Sequence, residues 1–568
     1  MSKLIVAKFG GTSVADFDAM QRCADIVLSN PNIRVVVVSA SSGVTNLLVD
    51  ISRHTDIAER YACYQGIERI TLAVLNRLAQ PDTVAAEVDQ LLSALKELIE
   101  QAGAVYSAAH KDEIQSFGER LSSVLFAQVL REREVSSLCF DVRRVMRTDS
   151  RFGKGEPQID SISQLCAVQL QPLLADNVIV TQGFIGADEA GQTTTLGRGG
   201  SDYSAALLGE ALAASVVQIW TDVVGIFTTD PRLTEQARCI KEISFDEAAE
   251  MATFGAKVLH PATLIPAMRR NIGVFVGSSR EPEAGGTWIA KDVKERPAYR
   301  AIALRKSQTL ITVKSPAMLH AAGFLTRVFD ILSRHQISVD LVTTSEISVA
   351  LTLDEGGMTS AFTASVEPAL AELRSFCEVA VEQGLSLIAV IGNHLHSSKG
   401  ITGDLFNTLE RINMRLICHG ASKHNLCFLV QDVDAPAVVK QLHQKLTSSK
   451  QKHNLWRNYD PLTTLPCHSF FLHLVSQYAE CPAGSLMMIV RLCHIKAFNH
   501  QHSYHEGDEL LAAFARQLRS ALPENVICAR LRGVKFILWC PLSEHSTSFS
   551  EEAQRISQLL PKVIELSV

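Results

Sequence analysis

The sequence predicts an α/β protein in three parts: a mostly parallel sheet between helical layers over residues 1–292, two small βαββ units over 300–449, and an α+β domain over 456–568. Three observations carry that prediction. Strand-length apolar runs alternate with helical patterns as far as about residue 290, the rhythm of a parallel sheet crossed by helices. From 301 to 446 the order changes to two similar segments, each a strand, a helix and two strands. After Ser448 the polar run SSKQKHN reads as a linker, and the remainder holds eight of the chain's eighteen histidines. At 568 residues the chain is also too long for a single core.

The first strand, 4–7, leads into Lys8-Phe9-Gly10-Gly11-Thr12-Ser13 and then a helical pattern at 16–28. A strand, a tight glycine loop and a helix N-terminus bring backbone N–H groups and the positive end of a helix dipole to an anion, so a polyphosphate is the natural guest. Taken alone, the run is equally a plain βα turn. Neither GxxxxGK[ST] nor GxGxxG occurs, which leaves P-loop and Rossmann nucleotide sites unsupported. Further strands are expected at 34–39, 178–182, 217–221 and 274–277, with helices at 116–132, 201–214 and 245–254.

Chemistry-bearing residues cluster where these elements end. Arg198-Gly199-Gly200-Ser201-Asp202 precedes a helix that Ser201 is expected to cap, and Arg198 can grip a carboxylate bidentately. Glu119, in FGERLS, is either a holder for an ammonium group or a solvated helix-turn carboxylate. Lys8 and Lys257 are candidates for the β- and γ-phosphate oxygens, and only their flanking glycines distinguish them from surface charges. Thr221, Asp222, Phe227 and Arg232 occupy a strand end and the loop after it, where nucleotides bind at the C-terminal edge of a parallel sheet.

Composition excludes several classes. With a net charge of -6 and 20% charged residues, no nucleic-acid surface is expected. The longest apolar runs are strand-sized, so no membrane span is expected, and no signal peptide is read. Thirteen cysteines without a CxxC pair suit reduced thiols in a cytoplasmic protein.

KFGGTSV, VVSAS, TQGFIG, TTLGRGGSDYSA, TDVVGIFTTDPR and FGAKVLHPA, in this order, resemble the signature runs of aspartate kinases in the amino acid kinase superfamily. The resemblance implies the amino acid kinase fold and transfer of the ATP γ-phosphoryl group, with Mg²⁺, to the β-carboxylate of L-aspartate. The product would be 4-phospho-L-aspartate, the first step of lysine, threonine and methionine synthesis. It further implies Lys8 and Asp202 as the catalytic pair, with Lys8 stabilising the transferring phosphoryl group. Ser39, Thr45, Glu119, Arg198 and Ser201 would surround the amino acid, and Lys8, Gly10, Gly11, Thr221, Asp222, Phe227, Arg232 and Lys257 the nucleotide. Phe227 stands where Tyr is common, so a hydroxyl contact is lost. A side chain of pKa about 3.9 is already ionised at pH 7, so the reaction needs positive charge and N–H donors more than a strong base.

The two later segments resemble the tandem ACT domains, ferredoxin-like βαββ units, that follow the kinase in this family. MLHAAGFL and ISVDLVTTSEISVALTL resemble the lysine-inhibited type. This implies L-lysine as an allosteric inhibitor at Met318, Phe324, Leu325, Ser338, Val339, Asp340, Ser345 and Glu346, and a homodimer or homotetramer formed through the ACT domains. Met318, Phe324, Leu325 and Val339 serve equally as core or interface residues, and Ala321 stands where a hydroxyl is often found. No dehydrogenase segment follows, which implies a single-function enzyme.

From Tyr459, DPLTTLP, IVRLCHIKAFNHQHSYHEGDELLAAFARQL and ICARLRGVKFILWCP resemble a GGDEF domain, the diguanylate cyclase fold. It is degenerate where chemistry occurs. The signature loop reads Arg532-Gly533-Val534-Lys535-Phe536, and Arg491 and Cys493 stand at the metal-carboxylate positions. Mg²⁺ asks for oxygen ligands, so no cyclase activity is expected. Asn499 and Asp508 match guanine-contacting positions, which leaves either a guanine-nucleotide sensor or a retained interaction scaffold. His500, His502 and His505 lack partners in register, and no metal site is expected. Two other functional readings stay open. One is a kinase of another acidic amino acid, against which the ACT units and KFGGTSV speak. The other is a non-catalytic amino-acid or nucleotide sensor, against which Lys8, Glu119, Arg198, Asp202 and Lys257 speak.

Overall fold

The structure, a computed structural model, describes residues 4–101, 106–197, 199–255, 259–315, 318, 323–335, 337–354, 359–393, 395, 401–410, 412–419, 422–458, 460, 462–476, 484–501, 504–523, 525–541 and 549–559. The chain forms two compact units, residues 1–443 and 444–568.

The first unit opens with β1 (Ile5–Phe9), α1 (Phe17–Ser29), β2 (Ile33–Val38), α2 (Val44–Arg53), α3 (Ile57–Leu75), α4 (Asp82–Gln101), α5 (Ala108–Glu132) and β3 (Ser137–Phe140). There follow α6 (Ile159–Leu165), β4 (Val178–Gln182), β5 (Ile185–Ala187), β6 (Thr193–Thr195), α7 (Gly200–Ala211), β7 (Val216–Thr221), β8 (Glu242–Ser244), α8 (Phe245–Phe254), α9 (Pro261–Arg270), β9 (Gly273–Ser278) and β10 (Gly286–Ala290). Eight of these strands form one sheet in the order β3-β4-β2-β1-β7-β9-β10-β8. It is parallel except where β10 runs antiparallel to β9. Strand alternation builds the two cores: Ile5, Ala7 and Phe9 pack with α1 and α5 on one face, and Val6, Val35 and Val37 with α7 and α9 on the other. From central β1 the chain goes to β2 on one side and to β7 on the other. The carboxyl ends of β1 and β7 therefore flank the crevice where ligands of open α/β sheets bind.

The regulatory part comprises β11 (Ala301–Lys314), α10 (Phe324–Arg334), β12 (Leu341–Thr344), β13 (Ser348–Asp354), α11 (Thr359–Arg374), β14 (Glu378–Ile391), α12 (Ile401–Thr408), β15 (Leu416–His419), β16 (Asn425–Gln431) and α13 (Ala435–Asn458). The two expected units are not consecutive beads. They share one antiparallel sheet in the order β12-β13-β11-β14-β16-β15. Leu310–Lys314 of β11 pair with Glu378–Glu382 of β14, and Ala301–Arg305 with Leu387–Ile391, with an irregularity between. Each long strand thus serves both units. In the second unit the closing strand, the start of β11, precedes the rest in sequence. Local patterning shows a strand there but not that two folds divide it. The polar run after Ser448, expected as a linker, is helical within α13.

The second unit contains α14 (His468–Ser476), β17 (Ser485–Arg491), α15 (Ile495–Gln501), α16 (Tyr504–Ala521), β18 (Ile527–Arg532), β19 (Lys535–Pro541) and α17 (Phe549–Leu559). Its sheet runs β17-β19-β18 and packs on α16 and α17 through Leu511, Phe514, Leu518, Phe536, Leu538 and Ile556.

Candidate active site

Lys8 lies within β1, which runs on to Phe9, and not in the glycine loop that follows. It has the parity of Val6 and so faces α7, where Asp202 occupies the first turn. Lys8 Nζ and Asp202 Oδ1 stand 2.6 Å apart, with side chains 10% and 15% exposed. The chain then turns sharply. The N–H of Gly10 donates to the carbonyl of Trp220 at 3.0 Å, and the N–H groups of Ser13 and Val14 donate back to Gly10. A Cβ on Gly11 would lie 2.8 Å from the Ala40 carbonyl, so only glycine lets this turn reach the end of β2. Ser13 Oγ meets Ser279 Oγ at 2.6 Å, and the Ser279 N–H donates to the Thr221 carbonyl. The ends of β1, β7 and β9 are thereby fastened into one rim.

Glu119 sits mid-helix in α5, which starts eleven residues earlier, and is buried. That burial excludes the solvated alternative. Burial pushes its carboxyl up to about 8, against the opposing pull of the Ala40 N–H, its own N–H and the charge of Lys8. Beside it, the Ser39 N–H donates to Phe9 and the Ser39 carbonyl accepts from Ser122 Oγ at 2.8 Å. Thr45 is exposed in the first turn of α2. Ser201 does not cap α7: the cap is Gly199, in the left-handed region at φ 74°, and Ser201 lies inside the helix, packed against Gly183. Arg198 and Lys257 lie outside the described residues.

The Thr221–Arg232 loop departs from the rim. Thr221 Oγ1 donates to Asp222 Oδ1 at 3.2 Å, and Asp222 is exposed. Arg232 grips Asp230 bidentately, at 3.0 and 2.7 Å, and its side chain is 85% exposed. Phe227 is half-buried and bridges to Cys239. Among the described residues, no hydrogen bond or ion pair joins Phe227 or Arg232 to the Lys8 cluster.

Three neighbours were not legible in sequence. Asp112, a buried acid seven residues before Glu119 on α5, accepts from Gly153 N at 2.8 Å, Thr195 N at 2.8 Å and Thr195 Oγ1 at 3.1 Å. It thereby ties the loop at Gly153 to the end of β6. Phe184 holds φ 69° in the GFIG turn, with its N–H donating to Ser204 Oγ of α7. Ser279 is the third. The seven-residue spacing of Asp112 and Glu119 on one helix face was the available signal for the first.

In the regulatory part, Met318, Phe324 and Val339 pack half-buried on the core under β11 and β13, while Leu325, Ser338 and Glu346 are exposed. Asp340 pairs with Arg305 at 3.2 Å, and Ser345 Oγ meets Ser348 Oγ at 2.6 Å in the β12–β13 turn. The candidate histidines 500, 502 and 505 lie outside the described side chains.

The amino acid kinase family profile matches residues 3–278, an ACT domain profile 388–446, and the diguanylate cyclase GGDEF domain profile 457–567. The lysine-sensitive aspartokinase 3 of Escherichia coli (strain K12) is 55% identical over 447 residues, 78% of this chain and 100% of that protein. The chain belongs to the aspartokinase family. Aspartokinase 1, chloroplastic, of Arabidopsis thaliana is 33% identical, over 78% of this chain and 80% of its own. Two crystal structures of E. coli aspartokinase III, each 55% identical and covering 78% of this chain and 100% of theirs, give the fold. The complex with aspartate and ADP (R-state) superposes with a TM-score of 0.73, and that with lysine and aspartate (T-state) with 0.69. Within this aspartokinase the profile-matched segment holds the second ACT unit apart from the strand it takes from the start of β11, and the first unit shares its strand order.

Proposed function

We propose that this aspartokinase phosphorylates the β-carboxylate of L-aspartate with ATP and is inhibited by L-lysine. The Lys8–Asp202 pair at the sheet's switch point, with Glu119 buried beside it, is the observation that carries the reading. The reacting groups are both anionic, so the chain's task is to hold them together and neutralise charge. Lys8 supplies the cation for the transferring phosphoryl group, and Asp202 holds its ammonium in place. Glu119 takes the substrate ammonium, Arg198 its α-carboxylate, and Ser39, Thr45 and Ser201 complete the substrate side. The Gly10-Gly11 turn, Thr221, Asp222, Phe227, Arg232 and Lys257 hold the nucleotide. Mg²⁺ takes oxygen ligands and keeps waters, so it would be carried in on the ATP phosphates and would neutralise their charge.

Lysine would bind about Met318, Phe324, Leu325, Ser338, Val339, Asp340, Ser345 and Glu346, between ACT sheets of two or four copies of this chain. One of its ammonium groups would take Asp340 from Arg305. The spans 1–292, 300–449 and 456–568 would act as kinase, regulatory and GGDEF-like domains of a cytoplasmic enzyme. The last would sense a guanine nucleotide without cyclising it. Kinase activity is tested by ADP release with L-aspartate or L-glutamate, with and without L-lysine. Aspartate-dependent turnover suppressed by lysine is expected; turnover with glutamate alone, or none with either, overturns the reading.

A further inference from the structure

One residue fastens the Thr221–Arg238 loop to the regulatory part. Thr228, next to Phe227, donates its N–H to the Arg238 carbonyl at 2.9 Å, and its own carbonyl accepts from Ile302 N of β11 at 2.8 Å. Its Oγ1 accepts from Arg238 N at 3.0 Å and lies 2.8 Å from Nε2 of His443. His443 is 2% exposed, on the face of α13 that also buries Val439 and Leu442. Burial and the nearby charge of Arg238 both hold this imidazole below its ordinary pKa, so it is neutral near pH 7. The Thr228 hydroxyl, already accepting from Arg238 N, keeps both its proton and a second lone pair for Nε2, so the two side chains share one hydrogen bond whichever of them donates.

The helix that carries His443 continues to Asn458, through the stretch where the chain leaves the first compact unit for the second. The same loop bears Phe227 and Arg232, which no described hydrogen bond or ion pair ties to the Lys8 rim. Ile226 N, on the other side of Phe227, donates to Thr287 Oγ1 of β10 at 2.9 Å, so the loop is held from the catalytic sheet at Thr287 and from the regulatory side at Ile302 and His443.

We infer that His443 is a positioning residue for the nucleotide: its hydrogen bond to Thr228 sets the loop carrying Phe227 and Arg232, so that ATP affinity depends on the placement of α13. The inference rests on the reading of that loop as nucleotide-holding. Without the bond, the loop samples other positions and the competent one must be selected at a cost in affinity, while the aspartate side is untouched.

The test measures ADP binding and aspartate binding by calorimetry on the full chain, separately from turnover. His443→Leu, which cannot accept a hydrogen bond, should weaken ADP about fivefold to tenfold and leave aspartate within about twofold. His443→Gln, whose amide oxygen can accept the same bond, should stay within about twofold of the native chain for both. Thr228→Val removes the hydroxyl and should reproduce the leucine variant, and the double variant should be no worse than either single one. Thr228→Val also serves should His443→Leu fail to fold. Unchanged ADP affinity in both variants, or equal weakening of ADP and aspartate, overturns the inference. A native chain that binds no ADP would instead overturn the nucleotide reading itself.

Discussion

Burial gives Glu119 a chemistry far from that of an ordinary carboxylate. A carboxyl with a folded pKa near 8 against an ordinary value of 4.5 is held protonated by the fold, so ionising it costs stability progressively as pH rises from 4.5 toward 8. Glu119→Gln removes that cost and should raise the melting temperature, with the gain growing between pH 5 and pH 8. The same change should weaken aspartate at least tenfold, since a neutral amide cannot neutralise an ammonium. Aspartate binding to the native chain at pH 7 should release a proton as the ammonium draws Glu119 into its charged form. Calorimetry in phosphate and in Tris reads this as a buffer-dependent heat, and identical heats in both would refute it. Sequence placed Glu119 beside an apolar helix pattern but could not tell exposure from burial, because the Lys8 and Ala40 that enclose it come from β1 and from the turn after β2.

Helix α8 joins catalytic and regulatory parts. A capping box of Ser244 and Glu247 starts it, and Glu247, fully buried, also accepts from Arg300 Nε at 2.8 Å and Asn393 Nδ2 at 2.7 Å. One turn later Glu250 accepts from Ser422 and from Asn425 Nδ2. Burial alone would raise Glu247, and the Arg300 guanidinium outweighs it, holding the carboxyl below the usual range. Its contribution is therefore present above pH 4.5 and lost as pH falls below. Arg300→Ala strands a buried charge and should destabilise the first unit by about 3–5 kcal/mol in denaturant unfolding at pH 7; a loss under about 1 kcal/mol would show that water or another cation replaces it. The helix itself was plain from its periodicity; its Ser-x-x-Glu capping box was seen only in the structure. Its partners, fifty to a hundred and eighty residues away, were not.

At the scale of the molecule, the six-stranded regulatory sheet ends in β12, whose Val342 is 40% exposed, followed by Ile347 at 42%. An apolar, uncovered edge is a site for pairing. Val342→Lys should lower the sedimentation coefficient of the assembly and blunt lysine inhibition; an unchanged assembly would place the interface elsewhere. In the second unit, Arg491 and Lys535 are direct cross-strand partners where the cyclase family keeps metal-binding acids. Like charges facing each other suit an anion and repel Mg²⁺. No cyclic dinucleotide should form from GTP and Mg²⁺ on chromatographic analysis, even at high enzyme concentration.

What is local can be read from the order of residues alone. Strand and helix periods, the glycine turn after Lys8 and the residue types that match a phosphotransferase all follow from neighbours within a few positions. The tertiary structure decided what depends on distant partners: that Lys8 faces Asp202, that Glu119 is buried, that Gly199 and not Ser201 caps α7, and that two ACT units share β11 and β14. Periodicity specifies which face of an element is apolar, but burial, pairing and pKa depend on what another part of the chain brings to that face.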